Sequence, residues 1–195
     1  MKCIQFQVLK IGILSLVPDS SQPPETTGSL LVENCHHVEL YSRLVNQMKN
    51  IQNITIRNSH TVVIHPKLYE ARGAATGRGL VDNIELTNIH KLIVKRYSFK
   101  DLQVKGRFYL GEVSMASVVS MAFDMEYVKE FSVFASKFDR ISMHGIKLSR
   151  CKEFNVLGMT TFASMGAHAI KVKCDKFSLA YNWFGHLHDS SFDVE

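Results

Sequence analysis

Eleven residues, I-T-I-R-N-S-H-T-V-V-I from Ile54 to Ile64, recur along the chain with substitutions that preserve their hydrophobic pattern. The pattern returns as L-L-V-E-N-C-H-H-V-E-L from Leu30, I-E-L-T-N-I-H-K-L-I-V from Ile84, F-D-M-E-Y-V-K-E-F-S-V from Phe123 and I-K-L-S-R-C-K-E-F-N-V from Ile146. A copy one residue shorter, I-K-V-K-C-D-K-F-S-L, starts at Ile170. Each copy alternates apolar residues, crosses a polar-leaning centre and alternates again, which reads as two strands around a bend. Such self-similarity requires a repeat architecture, because one unit cannot bury its apolar face alone and stacked units share a continuous core.

A weaker copy, L-Q-V-K-G-R-F-Y-L from Leu102, divides the widest step, so that seven units recur about every 23 residues, a solenoid interval. A leucine-rich repeat would place its asparagine three positions after the second strand leucine and add a second L-x-x-L consensus. Here the polar residue comes two positions after, Ile and Val share the leucine sites, and no second consensus follows. The expected fold is all-β: a right-handed parallel β-helix solenoid of about seven rungs, with loop excursions near 66–80 and 95–118. Over about residues 30–188 the pattern resembles right-handed β-helix proteins of the pectin-lyase-like type. That resemblance implies that any active or binding site lies on a side face. Residues 1–29 read as an N-terminal strand, cap or signal-like segment with a loop, and 30–195 as a single β-helix domain. A helix over Met115–Phe134, rich in Met, Ala, Glu and Lys, is the local rival, but the repeat register across it outweighs propensity.

Asn34, Asn58 and Asn88 all occupy the fifth position of their copies. With strands about 4.8 Å apart they stack, and side-chain amides then bond along the column. Asn also tolerates left-handed backbone angles and is common in turns for that reason alone. Two positions on, His36, His60 and His90 recur. Parallel rungs point side chains the same way, whereas zinc needs converging ligands, so turn histidines rather than a metal site are expected. Later copies place Tyr127, Arg150 and Lys173 in the asparagine column and Lys129, Lys152 and Asp175 in the histidine column. Cys35, Cys151 and Cys174 share the sixth position; Cys151 and Cys174, one rung apart, are near bonding range, yet parallel side chains do not guarantee the dihedral a disulfide needs. Ile54 over Ile84, and Phe131 over Phe154 and Phe177, are expected core stacks.

The net charge of +5 favours anionic partners weakly. The densest basic stretch holds Lys91, Lys95, Arg96, Lys100, Lys105 and Arg107. It reads as a strip for acidic polysaccharide or as a solvated face that blunts strand edges. No run is long enough for a nucleic-acid arm, and no cofactor motif is present. The stretch A-R-G-A-A-T-G-R-G within Pro66–Leu80 lacks the G-K-[ST] ending of a phosphate loop and reads as a surface insertion. No segment approaches the roughly 18 uninterrupted apolar residues of a spanning helix. Ile11–Val17, after two lysines, resembles a short signal core without an evident cleavage site, while Ile4–Val8 alternates as a first rung would. Asn53-Ile54-Thr55 fits a glycosylation sequon.

Glycoside hydrolysis needs two carboxyls close together. The nearest approach in outward columns is Glu85, Asp124 and Glu126. The paired-aspartate, Gly-His-Gly and calcium-binding aspartate patterns of the pectin-lyase-like enzymes are absent. His186, His188 and Asp189, with His168 one rung upstream, form a second low-ranking cluster. The expectation is a non-catalytic binding or structural protein outside the cell, recognising carbohydrate or a protein partner, with end-to-end association open at an uncapped last rung. The alternative is a divergent polysaccharide hydrolase or lyase.

Overall fold

The computed structural model describes residues 29–41, 52–68 and 79–195. The N-terminal segment 1–28 and most of the glycine-rich insertion, 69–78, lie outside the described residues. Among those described there is no helix, and none long and apolar enough to cross a membrane. The strands are β1 (Ser29–Glu33), β2 (His37–Leu40), β3 (Asn53–Ile64), β4 (Gly79–Val81), β5 (Asn83–Val94), β6 (Leu102–Val118), β7 (Phe123–Met125), β8 (Tyr127–Phe134), β9 (Lys137–Ile141), β10 (Ile146–Leu157), β11 (Thr161–Met165), β12 (Ile170–Leu179), β13 (Trp183–Leu187) and β14 (Phe192–Val194). Every pairing is parallel, and the strands wind as a β-solenoid of about six turns.

From the second coil on, a coil comprises three strand segments. The first face runs through β1, the first halves of β3 and β5, the middle of β6, and then β8, β10 and β12. Along it Leu30, Ile54, Ile84, Phe108, Phe131, Phe154 and Phe177 stand in register. The second face follows through β2, the second halves of β3, β5 and β6, and then β9, β11 and β13. The third holds β4, the start of β6, β7, the starts of β10 and β12, and β14.

This register corrects one expectation. The copies from Leu30, Ile54 and Ile84 cover first and second strands, whereas those from Phe123, Ile146 and Ile170 cover third and first strands. The early set continues at Phe108, which pairs with Ile84, and not at Phe123. The asparagine column therefore leads on to Glu112, Ala135, Met159 and Tyr181, all at positive φ, and not to Tyr127, Arg150 and Lys173. The histidine column leads to Ser114, not to Lys129, Lys152 and Asp175. Residues 102–118 form β6 instead of a loop; only 95–101 turn between strands, and strands replace the rival helix over 115–134.

The core is one column of inward residues. In the N-terminal coils it is aliphatic, with Ile54, Ile56, Ile84 and Leu86 buried. From the fourth coil it is aromatic: the Phe108, Phe131, Phe154 and Phe177 rings stack at 5.2, 5.4 and 5.3 Å between centroids. Phe138, Phe162 and Phe184 form a second stack at 5.2 and 5.1 Å. Each fully buried ring contributes about 1.5–3 kcal/mol before conformational entropy is charged.

Both bends use left-handed residues. Between first and second strands, Asn88 Nδ2 donates to Asn58 Oδ1 at 2.8 Å, and Asn34 holds the same backbone conformation one coil earlier. Ser59, Ser136 and Thr160 are buried beside this bend and close it with bonds to backbone groups. Cys35 aligns with Ser59 and so stands apart from the Cys151–Cys174 column. At the second bend, Lys67, Tyr97, Met121, His144, His168 and Ser190 adopt positive φ, each of the first five donating its N–H to the next one's carbonyl.

Candidate binding face

The first face is flat because outward residues alternate with core residues and stack coil on coil. Its charges are paired across coils. Arg57 Nε meets Glu33 at 2.6 Å, Arg107 Nε meets Glu130 at 3.0 Å and Lys176 Nζ meets Glu153 at 2.9 Å. Ser132 donates to Glu130 at 2.6 Å, and the Arg107 guanidinium lies 4.1 Å over the Tyr109 ring. A second amide ladder edges the early coils: Asn53 Nδ2 donates to Ser29 Oγ, Asn83 Nδ2 to Asn53 Oδ1 and the Arg107 N–H to Asn83 Oδ1. The Asn53 side chain of the sequon is thus engaged on both sides. These asparagines stand just before the first residue of their copies, a recurrence visible in sequence but outside the eleven-residue window.

At the bend that ends the first face, the last three coils leave a contiguous apolar surface. Phe134 is 43% exposed, Leu157 40%, Met159 80%, Tyr181 87% and Trp183 57%. Phe134 and Leu157 are register neighbours, and Met159 and Tyr181 share left-handed bend positions. Two rings lie close against glycines. A Cβ at Gly158, where φ is +71°, would come within 2.3 Å of the Phe134 ring, and one at Gly185 would meet the Ala163 carbonyl at 2.5 Å and the Trp183 ring at 3.0 Å.

The Glu85, Asp124 and Glu126 candidates are not brought together. Glu85 is on the first face opposite Tyr109 and Thr55, whereas Asp124 is on the third strand, paired with Lys147 at 3.1 Å. Glu126 follows it and pairs with Arg150 at 3.0 Å. The six cations from Lys91 to Arg107 wrap one coil. Lys91 is on the second face, Lys95, Arg96 and Lys100 at the turn, Lys105 at the next bend and Arg107 on the first face. Arg96 and Lys100 meet only over the Tyr97 ring, at 4.7 and 5.5 Å. His186, His188 and Asp189 are exposed on and after β13, while His168 sits at the other bend, 3.8 Å from Asp193.

His36, His60 and His90 adjoin in a column, at 4.9 and 4.6 Å between ring centroids, the first pair parallel within 2° and the second tilted by 34°. Loss of hydration, then the neighbouring His90 and His36, push the His60 pKa below its ordinary value. Beside them on the second face is a titratable cluster that sequence patterning missed. Glu39 accepts the Tyr41 hydroxyl, lies 3.1 Å from His37 Nε2 and 3.5 Å from His65 Nε2, and Tyr41 stacks on His65. The Tyr41 bond, then that of His37, holds Glu39 down at about 2, a carboxylate too acidic to shuttle protons near neutrality.

The pairing that a hydrolase would need is elsewhere: Glu130 and Glu153 are register partners on adjacent first-face strands. Each is held by its own cation, and the Lys176 hydrogen bond lowers the Glu153 pKa, whereas glycoside cleavage requires one raised carboxyl. At the opposite edge of the face, Tyr127, Arg150, Cys151, Lys152, Lys173, Cys174, Asp175 and Glu195 line a hollow of about 310 Å³. Cys151 and Cys174 are register partners and both are free thiols. Burial pushes Cys151 up to about 12 and Cys174 in the same direction, so neither is an activated nucleophile. No protein-family model, curated protein or solved structure matches this chain.

Proposed function

We propose that the chain is a non-catalytic binding solenoid that works outside the cell and recognises carbohydrate on its first face. The observation that carries this reading is the exposed aromatic bend of Phe134, Tyr181 and Trp183, with Leu157 and Met159 between them. A contiguous exposed apolar patch rimmed by polar residues marks an interaction site. Exposed rings packed close to glycine suit the apolar faces of pyranose rings, and the polar residues of the face supply hydrogen bonds around them. The resemblance to pectin-lyase-like β-helices points to the same ligand class.

Trp183 is the single tryptophan of the chain, so its fluorescence reports on this surface alone. Titration with neutral and acidic polysaccharides is expected to shift that emission saturably, and Trp183→Ala to weaken retention on the same polysaccharide by about tenfold. Emission unchanged across the panel, with retention unaffected by Trp183→Ala, would contradict the reading. A divergent hydrolase or lyase is the second reading, favoured by the Glu130–Glu153 pairing. It predicts released oligosaccharide that disappears in Glu153→Gln; retention without product supports the binding role.

A further inference from the structure

In-register charges on this solenoid are compensated almost wherever they occur. Glu33 faces Arg57, Arg107 faces Glu130, Asp124 faces Lys147, and Lys171 is bonded to Asp193 and Glu195. Where like charges do adjoin, as Glu130 and Glu153 do, each has its own counter-ion. One column breaks the pattern. Lys129 and Lys152 are neighbours at the bend that opens the first face, since Val128 pairs with Cys151 and Glu130 with Glu153. Lys105 precedes them by one coil, following Val104, the partner of Val128. Lys173 stands beside the column, next to Arg150. All four lysines are exposed, and none makes an ion pair or hydrogen bond among the described residues. Glu153, whose field reaches Lys129, is already bonded to Lys176. Asp82 precedes Lys105 and Asp175 follows Lys152 in the same column, and among the described residues neither carboxylate forms an ion pair with these lysines.

Like charges stacked on adjacent strands are destabilising, so an uncompensated column is a cost that a bound anion would remove. We propose that Lys105, Lys129, Lys152 and Lys173 form an axial track for a linear anionic glycan, sulfated or uronate-bearing, which runs along the solenoid. This rests on the reading of the first face as a glycan surface, because track and aromatic bend are its two edges, separated by strands of about five residues, roughly 16 Å. One coil advances about 4.8 Å, close to the length of one sugar in an extended chain, so successive anionic residues meet successive lysines. Among the described residues the one ring beside these lysines, Tyr127, is only part-exposed in the wall of the hollow, so no row of open rings is present to stack successive bases, which favours a glycan over single-stranded nucleic acid.

Calorimetric titration of the full chain with dextran sulfate, a polyuronate, neutral dextran and an oligothymidylate, at low and high salt, tests the track. At least one anionic glycan is expected to bind. Lys129→Ala/Lys152→Ala/Lys173→Ala should weaken it about tenfold and flatten its salt dependence, because fewer counter-ions are displaced. The same positions changed to Arg should retain it, and a cooperative thermal transition no lower than that of the wild type in the alanine variant shows that the fold persists. Anionic-glycan binding that ignores the triple alanine variant, no anionic-glycan binding at all, or tighter binding of the oligothymidylate overturns the track. Lysine-dependent binding that Trp183→Ala leaves unchanged overturns the aromatic platform and spares the track; neutral-dextran binding lost in Trp183→Ala, with anionic binding indifferent to the lysines, does the reverse.

Discussion

Single residues show where each interaction's strength lies. Phe154 is fully buried between Phe131 and Phe177, so Phe154→Ala is expected to cost about 3–5 kcal/mol by urea denaturation, and Phe154→Lys to abolish the cooperative transition. Asn58 does two things at once: it accepts the Asn88 amide and holds a left-handed backbone. Asn58→Gly removes only the bond, at about 1 kcal/mol, while Asn58→Ala adds about 1–2 kcal/mol of backbone strain. Equal losses in the two variants would mean that the left-handed backbone adds nothing to the cost at this bend. Asn34, Asn58 and Asn88 were legible because one residue type recurs at one position of three copies, whereas the later residues of the same bend, Glu112, Ala135, Met159 and Tyr181, share no type. The Glu39 cluster was not, because His37 and Tyr41 flank it on one strand while His65 arrives from the next coil, a proximity that only register creates.

Strands were legible as a class, but their place in the coil was not. Alternation has a period of two whichever face a strand occupies, so a window of first and second strands looks like a window of third and first strands. The fourth coil deepens the ambiguity: its first-face segment, from Phe108, carries Gly111 and Glu112 where the copy before it carries Thr87 and Asn88. That is why the acidic candidates were aligned across different faces while Glu130 and Glu153, true neighbours, were passed over. His60, on β3 between two neighbouring imidazoles, gives the early coils their own pH response. The His60 pKa is lowered in the fold, so the unfolded chain takes the proton first. The stability contributed by neutral His60 is present above the ordinary imidazole value, 6.5, and is lost as pH falls through it. Glu39, Glu153 and Asp193 are lowered carboxyls whose contributions fade only below about 4.5, leaving neutral pH to pH 5 to the imidazoles. Tm is expected to fall across that window in the wild type and to fall less in His60→Gln. A pH-independent Tm would contradict it.

For the whole molecule, the distribution of surface chemistry matters more than any one contact. A solenoid has no enclosed centre in which to bury a ligand, so recognition must be spread along a side, and here one face carries an apolar edge and a cationic edge on the same C-terminal coils. Of the ion pairs on that face, the one to Glu33 involves a buried carboxylate, and the others are exposed and individually weak. Their regularity keeps the surface flat and leaves the two edges as its distinctive features. Both edges depend on the register that sets Phe108 over Ile84: a slip by one strand segment would scatter the lysines and separate Phe134 from Leu157. A crystal structure of the full chain tests that register most directly. The prediction is a continuous ring stack of Phe108, Phe131, Phe154 and Phe177 at 5.2–5.4 Å, with Lys129 beside Lys152 on the adjacent coil. Phe123 found opposite Ile84, or a stack broken at any of those four rings, would contradict it.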